Sequence, residues 1–409
     1  MNQQLFKQKP ELLTPAKNLE RLQVAVGYGA NAVYVGGQKY GLRARADNFT
    51  DTELAKAAAF AHNHDAKLYV TLNAFLHDDD FAGLASYCGF LESIGVDAVI
   101  VSDLGVMKIV RASSNLNVHV STQASCLNVH AAHLWKKMGA KRLIVGRELS
   151  VAEAGKIQRE AGIEIEMFVH GAMCMSYSGH CTISNFTAGR DSNRGGCSQS
   201  CRFPYEIEGA KPLQVEEEKK GITFMSSKDL WGIDHIGEFF DEGICSLKIE
   251  GRMKSSFYVA STCKAYRQLI DGYAKRTISP TLMQAIAHDL QAVPHRDYTS
   301  ASLESPAGPD SVYGKLDGIN RGNYQYTGIV LDTTPDRLVM RTAMPLSIGD
   351  HIEILPFQQK PIRWQVDQLF NIVGEPIQHM RQDSVACLPK TDELDKVKRM
   401  NVVRMAERV

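Results

Sequence analysis

The sequence contains no uninterrupted apolar run near the ~18 residues that a membrane-spanning helix needs. Its opening, MNQQLFKQKPELLTP, has none of the apolar core of a signal peptide. Neither sign of charge is in excess, with 46 Lys and Arg against 46 Asp and Glu, so net charge selects no class of partner. Two common hydrolase signatures, G-x-S-x-G and H-E-x-x-H, are missing as well. Together these absences predict a soluble, cytoplasmic protein with no membrane partner. In a reducing compartment its nine cysteines stay as thiols, and four crowded together suggest a metal site rather than disulfides.

What is present is length and rhythm. With 409 residues, 44% of them hydrophobic, the chain can fill a barrel of roughly 250 residues and one smaller domain. Short apolar runs alternate with amphipathic stretches, the pattern of a parallel sheet covered by helices. Strands are expected at Glu11–Thr14, Ala32–Val35, Lys67–Thr71, Ala98–Val101, Val118–Ser121, Arg142–Val145, Glu164–His170 and Ser246–Ile249. Among the helical stretches, one sets Phe81, Leu84, Cys88 and Leu91 on a single face, and another sets Val259, Cys263, Tyr266 and Ile270. The expected fold is an α/β (β/α)8 TIM-type barrel over residues 1–308, with a cysteine-rich insertion after strand seven at 171–225. An open doubly wound sheet is the alternative. From residue 309 to 409 short alternating strands separated by turns (YTGIVLD, RLVMRTA, DHIEILP, IRWQVDQ) predict a small antiparallel β-barrel.

In such a barrel the working residues sit where strands end and loops begin. Those positions are rich in polar groups here: Arg43, Arg45 and Asn48 after strand two, Asn73 after strand three, Asp103 after strand four, and His119 and Gln123 around strand five. Strand six ends at Arg147 and Glu148, strand seven at His170, and strand eight runs into Lys248, Glu250, Arg252 and Lys254. His119, Glu148, His170, Lys248 and Glu250 are the candidate catalytic groups. The remaining candidates would bind substrate, although any one of these side chains could instead cap a helix or pair with a neighbour.

The cysteines carry the sharper signal. Cys174-x6-Cys181-x15-Cys197-x3-Cys201 places four thiols within 28 residues, among glycines that let the loop wrap. Four thiolates suit a tetrahedral zinc or an iron–sulfur cluster. The spacing of six then three is a poor match to paired zinc knuckles, which favours the cluster. Cys88, Cys263 and Cys387 fall on apolar faces and read as core; Cys126 and Cys245 could be either core or site. A nucleophilic pair of His170 with Cys174 is the rival reading, weakened by the three neighbouring thiols.

The segments PELLTPAKN, GANAVYVGG, FVHGAMCMSYSGHCTIS, RGGCSQSCRFPY and SLKIEGRMKS resemble the collagenase-like peptidase family, the unclassified peptidases of family thirty-two. The resemblance covers nearly the whole chain and matches all four cysteine positions. It implies a [4Fe–4S] iron–sulfur protein acting on tRNA, forming 5-hydroxyuridine at the wobble position with prephenate as cosubstrate. Members also hydroxylate ribosomal RNA or ubiquinone precursors, and a few were described as collagenases. The ligands it implies are Cys174, Cys181, Cys197 and Cys201, and its polar barrel-mouth motifs fall on Arg43, Arg45, Asn48, Lys248, Glu250 and Arg252. Two carboxylates on prephenate call for two guanidinium forks. Arg45 and Arg252 are the expected pair, with Arg43 in support and Asn48 and Gln123 reading hydroxyls. The small C-terminal β domain is then expected to grip the tRNA, because a pocket lined for a small acid cannot recognise an anticodon alone.

Overall fold

A computed structural model of the chain describes residues 9–42, 48–205, 223–312, 320 and 322–406. Eight parallel strands close into a barrel. They are β1 (Glu11–Pro15), β2 (Ala32–Gly36), β3 (Lys67–Leu72), β4 (Ala98–Val101), β5 (Asn117–Val120), β6 (Arg142–Ile144), β7 (Glu164–Ala172) and β9 (Ser246–Ile249). β1 pairs with β2 on one side and with β9 on the other, and β9 pairs with β7, so this sheet has no free edge. The alternative of an open doubly wound sheet is thereby removed. All eight strands fall where the apolar runs place them.

The covering helices start on side-chain caps. Asn18 caps α1 (Leu19–Gly27), Asp103 caps α4 (Leu104–Ser113), and Ser255 caps α9 (Ser256–Lys275). Capping boxes begin α2 (Asp51–His62) with Thr50 and Glu53, and α6 (Val151–Ala161) with Ser150 and Glu153. Asp103 therefore works as a cap and not at the barrel mouth: its Oδ1 accepts from the Val106 amide at 2.9 Å. α3 (Leu84–Ser93) buries Leu84, Cys88 and Leu91 as the pattern predicts, while Phe81 lies in a separate 3₁₀ turn ahead of left-handed Gly83. α5 (Val129–Lys137) completes this half of the shell.

After β7 the chain leaves the barrel through the insertion, which carries α7 (Ile183–Ala188). It returns by a short strand that alternation could not reveal, β8 (Asp229–Trp231). β8 runs antiparallel to β7 and takes β10 (Tyr298–Thr299) along its other edge. The seventh helix of the shell, α8 (Ile236–Asp241), has only six residues.

α9 is buried on nearly every side. α10 (Pro280–Gln291) covers part of it, and a curled six-stranded antiparallel sheet covers more. In spatial order that sheet runs β15 (Ile362–Gln365), β14 (His351–Leu355), β18 (Val402–Ala406), β11 (Tyr324–Thr333), β12 (Arg337–Thr342) and β17 (Val385–Pro389). Two short strands, β13 (Leu346–Ser347) and β16 (His379–Met380), pair beside it. The junction with the barrel is polar as well as apolar. The Tyr28 hydroxyl donates to the Leu355 carbonyl at 2.5 Å and accepts from the Val402 amide at 2.9 Å. Buried Arg404 bridges Glu353 at 2.8 Å and Asp289 at 3.1 Å. Gly27 lies flat under the Phe357 ring, where a Cβ would stand 2.6 Å from ring carbons. Among the described residues no helix is long and apolar enough to cross a membrane.

Candidate functional site at the barrel mouth

The barrel lumen is charged from its floor upward. At the N-terminal end Arg142 reaches Glu11 at 2.6 Å, Glu164 at 3.0 Å and Glu166 at 3.2 Å. The Tyr69 hydroxyl and Ser246 Oγ donate to Glu11 at 2.8 and 3.1 Å. Burial alone would raise the Glu11 carboxyl, but Arg142 and Tyr69 outweigh it and hold the group below its usual range. One step higher, Lys248 Nζ donates to Glu166 Oε1 at 2.9 Å and lies 4.4 Å from the centre of the Tyr34 ring. The Tyr34 hydroxyl donates to Glu250 at 3.0 Å, with the Ile249 carbonyl at 3.2 Å. Burial and the Glu250 carboxylate push this phenol well above the ordinary tyrosine range, against the opposing pull of Arg252 and Arg147.

The insertion is tied down over this mouth. Glu148 accepts from the Ser178 amide at 2.8 Å and its hydroxyl at 3.2 Å, and Ser178 Oγ accepts from the Arg147 amide at 3.1 Å. Gly179 has φ +82° and rests on the Gln123 carbonyl, where a Cβ would come within 2.0 Å of the oxygen. This is a position for glycine. Arg194 donates to the Phe75 carbonyl and to Asp80, both at 2.8 Å. Arg202 closes the loop by donating to the carbonyls of Met173, at 2.8 Å, and Ser227. The insertion thus spans the loops after β3, β5 and β6.

Within it the four cysteines are free thiols, Cys174 exposed and the other three partly buried. Burial raises the Cys201 thiol, and Cys174, Cys197 and Cys181 each add to the rise, so all four lie within electrostatic reach of one another. Among the described residues no three His, Cys, Asp or Glu side chains converge closely enough to hold a single metal ion. Arg147 connects thiols and lumen: its Nη1 stands 3.5 Å from Cys174 Sγ, and its guanidinium lies 4.1 Å from the centre of the Phe168 ring. Its Nε is buried without a partner, and Arg147 has no ion pair among the described residues.

The structure therefore gathers Lys248, Glu250, Arg147, Glu148 and Cys174 around Tyr34 and Phe168. Arg252 is close by and deeply buried, donating to the Leu42 carbonyl and packed against Gly36, with Asn48 beside it. Asn73 braces the same loop, accepting from the Leu42 amide at 3.3 Å and donating to Ser121 at 3.2 Å. Gln123 sits in a 3₁₀ turn beneath Gly179. Arg43 and Arg45 lie outside the described residues.

Two histidines are not at the mouth. His119 is buried low in the lumen, 4.7 Å from the Tyr69 ring, and burial with Arg142 and Lys248 nearby keeps it far below the usual histidine range. His170 faces outward. A bulge between Phe168 and His170 in the pairing of β7 with β9 inserts one residue and reverses the side on which the side chain emerges. Its ring packs among Tyr266, Tyr258, Trp231 and Tyr298, and burial lowers its pKa to about 3. The His170–Cys174 pair expected of a peptidase is not formed: His170 Nδ1 meets the Tyr266 hydroxyl at 3.3 Å, and the Cys174 sulfur contacts Arg147. Lys254 also points away, toward the Pro294 carbonyl at 3.4 Å. Tyr34 and Phe168 were missed by the sequence reading because aromatic residues within strands look like core. The signal that could have found them was the Glu166–Lys248 alternation on the same lumen-facing positions.

Residues 17–312 match the family model described as peptidase family U32. The tRNA hydroxylation protein P1 of Bacillus subtilis is 42% identical over 80% of this chain and 78% of its own length. The tRNA hydroxylation protein P of Escherichia coli is 31% identical over 90% of each chain. The 23S rRNA 5-hydroxycytidine C2501 synthase of the same organism is 33% identical over 84% of this chain and 52% of its own. Among solved structures, the U32 peptidase Mk0906 aligns with 15% identity and a TM-score of 0.40, over 59% of this chain and 93% of that one.

Proposed function

The chain belongs to peptidase family U32, and from that premise we propose that it is an RNA-modifying hydroxylase, forming 5-hydroxyuridine at the wobble position of tRNA with prephenate as cosubstrate. The observation that carries the reading is the contact of Cys174, one of four free thiols in the insertion, with Arg147, a guanidinium that has no ion pair among the described residues, over a polar lumen. Replacing a C–H bond of uracil by C–OH removes two electrons and adds one oxygen atom, so the reaction needs an electron acceptor and an oxygen donor besides the RNA, and a redox centre at the site would relay the electrons. Cys174, Cys181, Cys197 and Cys201 would hold a [4Fe–4S] cluster, which supplies one-electron transfer when bound. Arg147 faces the cluster thiolate of Cys174 and keeps donors for a carboxylate of the small acid. Beneath it Lys248 is ion-paired with Glu166, and Tyr34 and Glu250 form a hydrogen-bonded pair at the mouth able to hold a proton. Nine free cysteines suit a reducing, cytoplasmic setting.

The test is the modified-nucleoside profile of tRNA from a strain lacking the gene. 5-Hydroxyuridine and nucleosides built on it should disappear, return with the native gene, and stay absent with Cys197→Ala. An unchanged tRNA profile with a missing modification in ribosomal RNA would move the substrate to that RNA.

A further inference from the structure

Eleven large hydrophobic side chains are exposed among the described residues, and their distribution is uneven. The aliphatic ones are scattered over helices and turns, as on any protein surface. The aromatic ones all belong to the cysteine insertion: Tyr177 at 60% exposure, Phe186 at 87%, Phe203 at 47% and Phe224 at 39%. Met175, beside Cys174, is 47% exposed. A phenylalanine left in water forgoes the stabilisation of burying its ring. Four rings on one insertion, the one that roofs the mouth, call for an occupant.

Net charge does not choose it, since the insertion carries six basic and six acidic residues; the arginines of its described part, Arg190, Arg194 and Arg202 beside a single Asp191, bear on the choice through their pairing. Arg194 is neutralised by Asp80. Arg202 is held by backbone carbonyls, and Arg190 has a buried Nε without a partner; neither is ion-paired among the described residues. Exposed rings on the same segment as the unpaired Arg190 guanidinium suit a polyanion that carries flat apolar faces. Unpaired RNA is such a ligand, stacking its bases on aromatic side chains and placing its phosphates on arginine.

We propose that the described part of the cysteine insertion is itself an RNA-binding face, on which Tyr177 and Phe186 stack unpaired bases and Arg190 takes a phosphate, delivering a base to the mouth beside Cys174. This deepens the RNA-hydroxylase reading and rests on it. The binding surface is thereby on the roof of the active site and not solely on the C-terminal sheet.

The test uses the full chain purified without oxygen and a fluorescently labelled anticodon stem–loop RNA, with binding read by anisotropy at low and moderate salt. Tyr177→Ala and Phe186→Ala remove exposed side chains, so fold and visible spectrum should match the native protein. Each should weaken binding about five- to a hundredfold, the range for loss of one stacked base. Phe186→Trp should restore it, while Phe186→Leu, apolar but unable to stack in the same way, should not. Arg190→Gln should weaken binding and flatten its salt dependence. Native affinity in both alanine variants overturns the stacking face. So does a Phe186→Ala variant that loses self-association, or capture of a protein partner, while RNA binding is unchanged. If the native chain binds no RNA, the hydroxylase reading fails first, and the two failures are distinguished.

Discussion

The two ends of the barrel are both rich in charge and differ in how that charge is spent. At the floor Arg142 has three carboxylates around it, Glu11 has donors on each oxygen, and Glu166 is shared between Arg142 and Lys248. At the mouth Arg147 Nε and Glu148 Oε2 are buried without partners among the described residues, and Arg147 Nη1 stands 3.5 Å from the Cys174 sulfur. Nearly all donors at the floor are matched within the chain, whereas at the mouth Arg147 keeps a buried donor without a partner among the described residues. Under the proposed function the difference separates residues that hold the barrel closed from one that meets substrate, in the direction expected of this fold. Lys248 stands between the two groups.

The largest expected effect falls on the floor. Arg142→Met leaves Glu11 and Glu166 as buried charges with their main partner gone, which should cost about 3–5 kcal/mol in denaturant unfolding. The folded fraction should keep its cysteine-dependent spectrum. A loss below 1 kcal/mol would mean that the floor network is not what closes the barrel.

Next comes the outward-facing His170. Its folded pKa of about 3 lies below the unfolded value, so on acidification the unfolded chain takes up a proton that the folded chain refuses. Stability should therefore rise with pH between about 3 and 6.5, at up to roughly 1.4 kcal/mol per pH unit for this group. His170→Gln should lower that slope without reducing tRNA modification per folded molecule. Loss of modification at full stability would return His170 to the chemistry.

At the mouth the expectation is reversed. Arg147→Gln removes a cation with no ion pair among the described residues, so unfolding should shift by less than about 1 kcal/mol. Prephenate binding by calorimetry should weaken more than about tenfold, the loss of a charge-assisted contact. Equal binding in the variant, or severe destabilisation, would erase the contrast between the two ends.

The strands were legible because each is a short apolar run bounded by turns, and parallel strands buried on both faces leave that trace. The cysteine loop was legible because thiols are rare and their spacing is unusual. What escaped depends on one-residue geometry. His170 is expected at the mouth because the seventh strand ends there, but the bulge shifts its register by one and turns it to the other side. Asp103 ends a strand as expected of a site residue, yet it caps α4, a partner that no local pattern announces. β8 has three residues, too few for any period to show.

The account's central claim is that the insertion over the mouth is a redox site, and its most direct test is the iron and acid-labile sulfide content of protein purified without oxygen. Brown protein with iron and sulfide in equal amounts, both lost in Cys197→Ala, is the predicted result. Colourless protein holding one zinc per chain would contradict it.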